Sequence, residues 1–202
     1  MNTLLYISSS IFGEQGKSTE LADTFVNQLS TQGSATKVIH RDLAAQPVPH
    51  LDASRFAAFI TPADERTAEQ QAVVKFSDAL IDEWRRADTV VLGLPMYNLG
   101  LPSTLKAYID HIARAGETFR YTANGPEGLL QDRQVYVIAT RGGQYQNTEL
   151  DTQSSYIRHI FGLMGVTDIE FIYAEGLNMG SEIAEQALQQ ARERIAGNVV
   201  AA

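Results

Sequence analysis

The sequence contains no cysteine. This absence excludes disulfide bonds, thiolate catalysis and every metal or iron–sulfur site that depends on cysteine ligands. Histidine is also scarce, and His40, His50, His111 and His159 are too far apart in the sequence to form a metal-binding motif. We expect these four histidines at the surface or at helix ends.

Positive charge and long apolar runs are lacking as well. The chain has 16 Lys and Arg against 24 Asp and Glu, a formal net charge of −8, whereas a nucleic-acid surface needs clustered basic residues. No apolar run approaches the roughly 20 residues that span a bilayer, and the first residues lack the basic region of a secretory signal. We therefore expect a cytoplasmic protein without nucleic-acid or membrane partners.

What the sequence does contain is a regular alternation of strand and helix patterns. Its 202 residues, 44% of them hydrophobic, suit a single domain over residues 1–202. The alternation predicts an α/β fold, a doubly wound parallel sheet of five strands in the order 2-1-3-4-5 with helices on both faces. The predicted strands are 4–8, 37–43, 89–94, 134–139 and 169–173, and the predicted helices are 18–32, 67–86, 102–116, 152–164 and 181–196.

Two segments fall outside this alternation. Residues 44–66 contain three of the six prolines and predict a long surface excursion with one short helix. Residues 117–130 contain the turn sequence Asn124-Gly125-Pro126 and predict a β-ribbon, or flap. Both segments are candidates for the walls of a pocket.

The most informative loop, residues 95–101, follows the third predicted strand. Ligands of open α/β sheets bind at the carboxyl ends of strands, which is where this loop lies. Tyr97, Asn98 and the apolar Met96 and Leu99 suit a flat, partly polar ring, which needs stacking surface and a few directed hydrogen bonds. The alternative is an ordinary connection in which the tyrosine packs on its neighbours.

A loop rich in serine and glycine, residues 8–18, follows the first predicted strand and opens a helix. Its hydroxyl and main-chain N–H groups, together with the helix N-terminus, predict an anion site. Because the chain is acidic, such local groups must hold a phosphate. The alternative is a simple turn in which Ser18 is the helix N-cap.

A third loop, Thr140-Arg141-Gly142-Gly143, follows the fourth strand of the predicted sheet. Paired glycines let the main chain approach a ring edge where a Cβ atom would clash, and the alternative is a tight turn. The three loops meet at one edge of the sheet as a phosphate cradle, a ring platform and a ring-edge clamp. This combination predicts a mononucleotide with a planar heterocycle, and flavin mononucleotide (FMN) fits best.

Two other nucleotide motifs are excluded by spacing. Gly16-Lys17-Ser18-Thr19 resembles part of a P-loop, but that motif requires a glycine where Ile11 stands. No G-x-G-x-x-G sequence occurs, which disfavours a resident dinucleotide of the Rossmann type.

The motifs also resemble a known family nearly from end to end. The chain is similar to the FMN-dependent NADH-azoreductases, which are also NAD(P)H–quinone oxidoreductases of flavodoxin-like fold. The matching segments are Ser9-Ser10-Ile11, Ser18, Arg41-Asp42-Leu43-Ala44-Ala45, Pro95-Met96-Tyr97-Asn98, Leu105-Lys106, Arg114-Ala115-Gly116, Thr118-Phe119-Arg120-Tyr121, Asn124-Gly125-Pro126-Glu127-Gly128-Leu129, Arg141-Gly142-Gly143 and Ala174-Glu175-Gly176.

The resemblance implies a role for each loop. The first loop would hold the FMN phosphate, Met96 to Leu99 would lie along the isoalloxazine ring, and Thr140 to Gly143 would contact its pyrimidine side. Leu99 stands where family members often carry phenylalanine, and it would shape the wall of the pocket. The implied cofactor-binding residues are Ser10, Gly16, Lys17, Ser18, Pro95, Met96, Tyr97, Asn98, Leu99, Thr140, Arg141, Gly142 and Gly143.

The resemblance further implies a homodimer with two flavin sites at its interface. The substrate-pocket residues would be Leu99, Phe119, Tyr121 and Phe161, the three aromatic residues closing the partner's site. Packing inside the chain is the alternative for these aromatic residues and is favoured for Phe161. Apolar residues of the helix after Pro102, namely Tyr108, Ile109 and Ile112, are further candidates for the interface.

The implied activity is that of an FMN-dependent oxidoreductase. It would use NADH or NADPH to reduce quinones and cleave aromatic azo compounds by a ping-pong mechanism. No catalytic side chain is expected, because the cofactor carries the chemistry. Arg120 would meet the 2′-phosphate of NADPH or simply face water. A non-enzymatic electron carrier of flavodoxin type is the alternative, disfavoured by the candidate pocket walls.

Overall fold

The computed structural model, which describes residues 2–32 and 36–201, consists of both strands and helices. The strands are β1 (Thr3–Ser8), β2 (Lys37–Asp42), β3 (Thr89–Pro95), β4 (Phe119–Thr122), β5 (Gly125–Gly128), β6 (Gln134–Thr140) and β7 (Ile169–Ala174). The helices are α1 (Lys17–Gln32), α2 (Ala53–Ile60), α3 (Ala68–Arg86), α4 (Ser103–Ile112), α5 (Thr152–Leu163) and α6 (Ser181–Ala201).

Five of the strands form one parallel sheet in the order β2-β1-β3-β6-β7. Numbered within the sheet, this is the predicted order 2-1-3-4-5, so the expected topology is confirmed. Strands β4 and β5 pair antiparallel in a separate two-stranded ribbon, as predicted for residues 117–130. The excursion after β2 contains one short helix, α2, as expected.

Hydrophobic side chains cover both faces of the sheet, as parallel strands require. In β1 successive residues alternate, with Leu5 and Ile7 on one face and Leu4 and Tyr6 on the other. Helices α3, α4 and α5 pack against the first face, and α1 and α6 pack against the second. Because both faces are filled, a ligand must bind among the loops at the strand ends.

Helix α4 is shorter than the sequence predicts. Its N-cap is Pro102, and it ends at Ile112 instead of continuing to Gly116. The Thr118 hydroxyl donates a hydrogen bond to the Ile112 carbonyl oxygen at 2.7 Å. This bond satisfies a carbonyl group that a longer helix would pair with its own N–H groups, and the chain turns away toward the ribbon.

A buried histidine attaches the excursion to the rest of the molecule. His111 is fully buried, and its Nε2 atom lies 3.0 Å from the Pro49 carbonyl oxygen. The rings of Phe59 and Phe76 meet it edge-on, at centroid distances of 5.8 and 5.7 Å. Burial lowers the pKa of His111 below its ordinary value. His111 therefore lies at a helix end, in the last turn of α4, but not at the surface, because apolar rings from two helices enclose it.

Candidate functional site

A cavity of about 420 Å³ lies at the carboxyl ends of the strands, where the three predicted loops meet. The first loop contributes Ser10, Phe12, Gln15, Gly16 and Lys17, the second Pro95, Met96 and Tyr97, and the third Thr140, Arg141 and Gly142. The segment from β7 into α6 contributes Leu177, Asn178, Ala184 and Leu188. The cavity therefore lies at the sheet edge that the sequence indicated.

The first loop carries the four residues expected to hold a phosphate. Ser10, Gly16 and Lys17 line the cavity, and Ser18 follows them in the first turn of α1. A Cβ atom at Gly16 would lie 2.1 Å from the Ser10 hydroxyl oxygen, so only glycine fits against this serine. The Lys17 ammonium group pairs with Glu20 at 2.8 Å, an exposed contact weak enough to yield to a bound anion.

Ser18 does not line the cavity, but its hydroxyl group is a candidate ligand for an anion. The residue is 1% exposed, and its hydroxyl oxygen has no hydrogen-bond partner within residues 2–32 and 36–201. The alternative role as N-cap is wrong, because α1 begins at Lys17 and the Gly16 carbonyl accepts from the Glu20 N–H at 2.9 Å. A buried polar group without a partner costs about 1–3 kcal/mol. A phosphate oxygen at this helix N-terminus would satisfy it.

The second loop contains a tight turn with unusual main-chain angles. Tyr97 and Gly100 exchange two main-chain hydrogen bonds of 3.2 and 2.9 Å, and Asn98 and Leu99 between them have φ angles of 50° and 58°. Positive φ at both central residues defines a type I′ turn. Asparagine tolerates this region, whereas for leucine it costs roughly 1–2 kcal/mol. The surrounding structure must therefore hold Leu99 in place.

Hydrogen bonds connect the three loops directly. The Ser10 hydroxyl and the Tyr97 hydroxyl lie 3.2 Å apart, and the Ile11 N–H donates to the same tyrosine oxygen at 3.3 Å. The Met96 N–H donates to the Thr140 carbonyl oxygen at 3.0 Å. The three loops therefore form one hydrogen-bonded edge of the cavity.

The third loop packs against the segment after β7. A Cβ atom at Gly142 would lie 2.6 Å from the Asn178 side-chain nitrogen, and one at Gly143 would lie 2.7 Å from the Tyr145 ring. The carbonyl oxygens of Gly142 and Gly143 accept from the N–H groups of Asn178 and Gly176, both at 2.9 Å. The glycines thus permit close approach of the chain's own side chains. Gly143 does not line the cavity.

The Arg141 side chain is fully buried and anchors the third loop to the interior of the protein. It pairs with Asp151 at 2.6 Å and with Glu175 at 2.9 Å, and its guanidinium group lies over the Tyr173 ring. Burial alone would raise the pKa of Asp151, but hydrogen bonds from Arg141 and Ser154 outweigh it and hold that pKa below its ordinary value. The Arg141 side chain is engaged by these carboxylates, and its main-chain N–H donates to the Ala174 carbonyl oxygen at 2.9 Å while its own carbonyl oxygen accepts from the Leu177 N–H at 3.1 Å. Arg141 therefore fixes the loop in place through its side chain and its main chain.

The residues expected in the substrate pocket do not line this cavity. Phe161 is 1% exposed, and its ring lies 5.0 Å from that of Trp84, so its place in the pocket is wrong and core packing is observed. Phe119 is buried in the ribbon, whereas Tyr121 is 76% exposed. Leu99 is partly exposed at the tip of its turn. Of these four predicted residues, only Leu99 and Tyr121 offer their side chains to another molecule.

Sequence reasoning missed part of the cavity wall. Phe12 and Gln15 in the first loop line it, as do Leu177 and Asn178 after β7. The exposed Phe12 ring meets Tyr97 edge-on, at a centroid distance of 6.4 Å. The signal for Asn178 was present, because a strand that neighbours β6 must place its following loop beside the third loop.

Two negative findings hold for the part of the chain that the structure describes. No group of histidine, aspartate and glutamate side chains there is arranged to hold a metal ion. None of the helices there combines the length and the apolar character needed to cross a membrane.

Comparison with known proteins agrees over nearly the whole chain. A family described by its flavodoxin-like fold matches residues 2–199. An FMN-dependent NADH:quinone oxidoreductase from Cellvibrio japonicus is 54% identical over 201 residues, covering 100% of both chains. An azoreductase structure from Bacillus anthracis has a TM-score of 0.90 at 28% identity, covering 98% of this chain and 99% of that one. An FMN-dependent NADH-azoreductase from the same species, in complex with FMN, has a TM-score of 0.87 at 26% identity, covering 98% and 100%.

The fold and the site define a protein of the flavodoxin-like class. Within that class, the chain belongs to the family of FMN-dependent NADH:quinone oxidoreductases and azoreductases, and it is an oxidoreductase. The expected fold, family and enzyme class are thereby confirmed. FMN is the cofactor and NADH the donor in the names of its relatives, as the resemblance implied.

Proposed function

We propose that this chain binds FMN in the cavity, takes electrons from NADH and reduces quinones and aromatic azo compounds. The observation that carries the proposal is the cavity where the three loops meet, beside the start of α1, where the buried Ser18 hydroxyl has no partner among the described residues. The cavity of about 420 Å³ has a size typical of small-molecule sites. The names of the relatives support both acceptor classes.

Each loop has a proposed role toward FMN. Ser10, Gly16, Lys17 and Ser18 hold the phosphate, aided by the partial positive charge at the N-terminus of α1. The loop after β3 would lie along the ring system, and the loop after β6 would contact its pyrimidine side. The residues present fit the cofactor, because hydroxyl groups meet its anionic end and apolar or aromatic side chains meet its flat end.

When bound, FMN supplies the redox chemistry, accepting a hydride from NADH and passing two electrons to the acceptor. The protein binds and orients the rings. Main-chain N–H groups near Asn98 and Gly142 would donate toward the ring edge that gains negative charge. Because water can supply protons, no side chain need act as a general acid. NADH and the acceptor occupy the same site in turn, so the proposed kinetics are ping-pong.

NADH is the proposed donor in preference to NADPH. Arg120 on the ribbon, the candidate for a 2′-phosphate, is already paired with Glu127 at 2.8 Å. This exposed contact is as able to yield to a phosphate as that of Lys17 with Glu20, so the preference rests on the NADH named for the relatives. The ratio of kcat/KM values for NADH and NADPH tests the preference, and a ratio below one would contradict it.

We also propose a homodimer, on a different basis from the sequence argument. Tyr108, Ile109 and Ile112 are each 1% exposed inside the chain's own core, so their expected place in an interface is wrong. Tyr121 remains a candidate for the interface, because its side chain is exposed. Among the described residues, those that line the cavity include none from the ribbon. A second chain would supply the missing wall over a bound ring.

Two measurements on the purified protein test the proposed function. Reconstitution with FMN should give absorption bands at about 370 and 450 nm, which arise from the bound cofactor. Steady-state turnover with NADH and a small quinone separates an enzyme from an electron carrier, which shows almost none without a reductase. Parallel double-reciprocal lines are expected, and intersecting lines would exclude the ping-pong mechanism.

A further inference from the structure

We propose that the first turn of α5 is a clamp that holds the two ring-binding loops in shape, with Gln153 as its central positioning residue. The clamp consists of Asp151, Thr152 and Gln153, none of which the sequence singled out. This inference rests on the proposed function, because it assigns these residues a role toward loops that bind FMN.

Gln153 joins the two ends of the loop after β3. It is fully buried, and its side-chain nitrogen donates to the Pro95 carbonyl oxygen at 2.9 Å and to the Gly100 carbonyl oxygen at 3.1 Å. Its side-chain oxygen has no partner among the described residues, so placing the amide here has a cost that the two loop bonds must offset. One amide group thus fixes both ends of the loop relative to α5.

The residues on either side of Gln153 complete the clamp. The Thr152 hydroxyl donates to the Leu99 carbonyl oxygen, at the tip of the same loop. Asp151 caps α5 through the Ser154 N–H and also accepts from Arg141 in the loop after β6. Three consecutive residues therefore contact both loops.

The clamp is needed because the turn of residues 97–100 is unfavourable without support from the rest of the protein. Leu99 lies at a φ angle of 58°, a region that side-chain-bearing residues other than asparagine and aspartate rarely occupy. Without bonds to its carbonyl groups, the turn would relax toward ordinary angles. Met96 and Tyr97, which line the cavity from the same loop, would then move.

The test measures the Kd for FMN of two variants by titration of the apoprotein. Gln153→Leu removes both loop bonds and should raise the Kd about tenfold, and the isosteric Thr152→Val should raise it about threefold. Thr152 is exposed, so Thr152→Val decides the question if Gln153→Leu fails to fold. Ser77→Ala is the control, because the Ser77 hydroxyl also donates to a buried carbonyl, that of His111 at 2.6 Å, away from the loops. Its Kd should stay within about twofold of the wild type.

Rescue separates a clamp from general stabilisation. Leu99→Gly places glycine after Asn98, the preferred pair for a type I′ turn, so the turn no longer needs support. In the Leu99→Gly background, Gln153→Leu should raise the Kd by no more than about twofold. A full tenfold rise there, or unchanged binding in both Gln153→Leu and Thr152→Val, overturns the clamp. Failure of the wild-type chain to bind FMN overturns the proposed function, and the clamp with it.

Discussion

The Ser18 hydroxyl is expected to strengthen FMN binding but not to stabilise the apoprotein. Ser18→Ala should lower FMN affinity about tenfold or more, because a charge-assisted hydrogen bond is worth about 1.5–3 kcal/mol. The same change should leave the apoprotein as stable as before or slightly more stable, since it removes a buried hydroxyl without a partner in the described chain. FMN titration and denaturant unfolding of the apoprotein measure the two effects. Unchanged FMN affinity would place the phosphate elsewhere.

Gly142 allows a close approach between two loops that line the cavity. In Gly142→Val, the new side chain would collide with Asn178, because even a Cβ atom would lie 2.6 Å from its side-chain nitrogen. We expect FMN affinity to fall at least tenfold, about 1.4 kcal/mol, in a protein that still folds. FMN titration with circular dichroism checks this. If the variant instead misfolds generally, Gly142 is needed for the turn itself and not specifically for FMN binding.

The sequence identified the loops of the site better than the roles of their side chains. The loops that carry Ser10 and Met96 were placed at the site from strand order, and the family resemblance implied the roles of the two residues. The engagement of Arg141 by Asp151 and Glu175 was not predictable, because those carboxylates lie far from it in the sequence. The same is true of Gln153. Long-range side-chain pairing follows from packing, which local patterns do not encode.

The ribbon of β4 and β5 docks on the end of α5 through main-chain contact. A Cβ atom at Gly128 would lie 2.1 Å from the Gly165 nitrogen, and the Leu130 N–H donates to the Met164 carbonyl oxygen at 2.9 Å. Gly128→Ala should therefore destabilise the protein by about 1–3 kcal/mol, because main chain cannot yield as a flexible side chain can. Denaturant unfolding measures the loss.

Gly162 provides the matched control for that substitution. It lies inside α5, and a Cβ atom there would meet nothing within 4 Å. Gly162→Ala should stabilise the protein by about 0.5–1 kcal/mol, because alanine loses less main-chain entropy in a helix. Equal effects of the two substitutions would show that the ribbon is not held by close contact at Gly128.

The elements themselves were largely predictable, because period-2 and period-3.6 patterns are local. Strand β3 and helix α3 lie within a residue of their predicted bounds, and the capping box of Thr67 and Gln70 marks the start of α3. The end of α4 was not predictable. It depends on the Thr118 hydroxyl, which acts across a turn outside the helix.

The proposed homodimer can be tested by measuring the mass of the protein in solution. Light scattering at micromolar concentration should report twice the mass of one chain. Tyr121→Glu should weaken association and lower quinone turnover, because it places a charge where an exposed aromatic side chain is proposed to meet the partner. Its FMN spectrum should be retained. A fully active monomer at those concentrations would refute the shared site.

Stability should decrease in mild acid because of His111. Its pKa is lowered in the folded protein by burial, while the unfolded chain has a value of about 6.5, so the unfolded state binds more protons between those values. The free energy of unfolding should therefore fall as pH drops from 8 to 5. His111→Gln should reduce this pH dependence. An unaltered slope in His111→Gln would contradict the assignment.

The single tryptophan makes this protein its own optical probe. Trp84 is fully buried between the sheet and α5, where its ring N–H donates to the Tyr108 hydroxyl at 2.7 Å and its ring lies edge-on to Phe161. Its emission therefore reports one defined side of the core, without averaging over several indoles. Because indole emission overlaps flavin absorption, energy transfer to a bound flavin would dim the same signal. One spectrum would then follow both unfolding and cofactor occupancy.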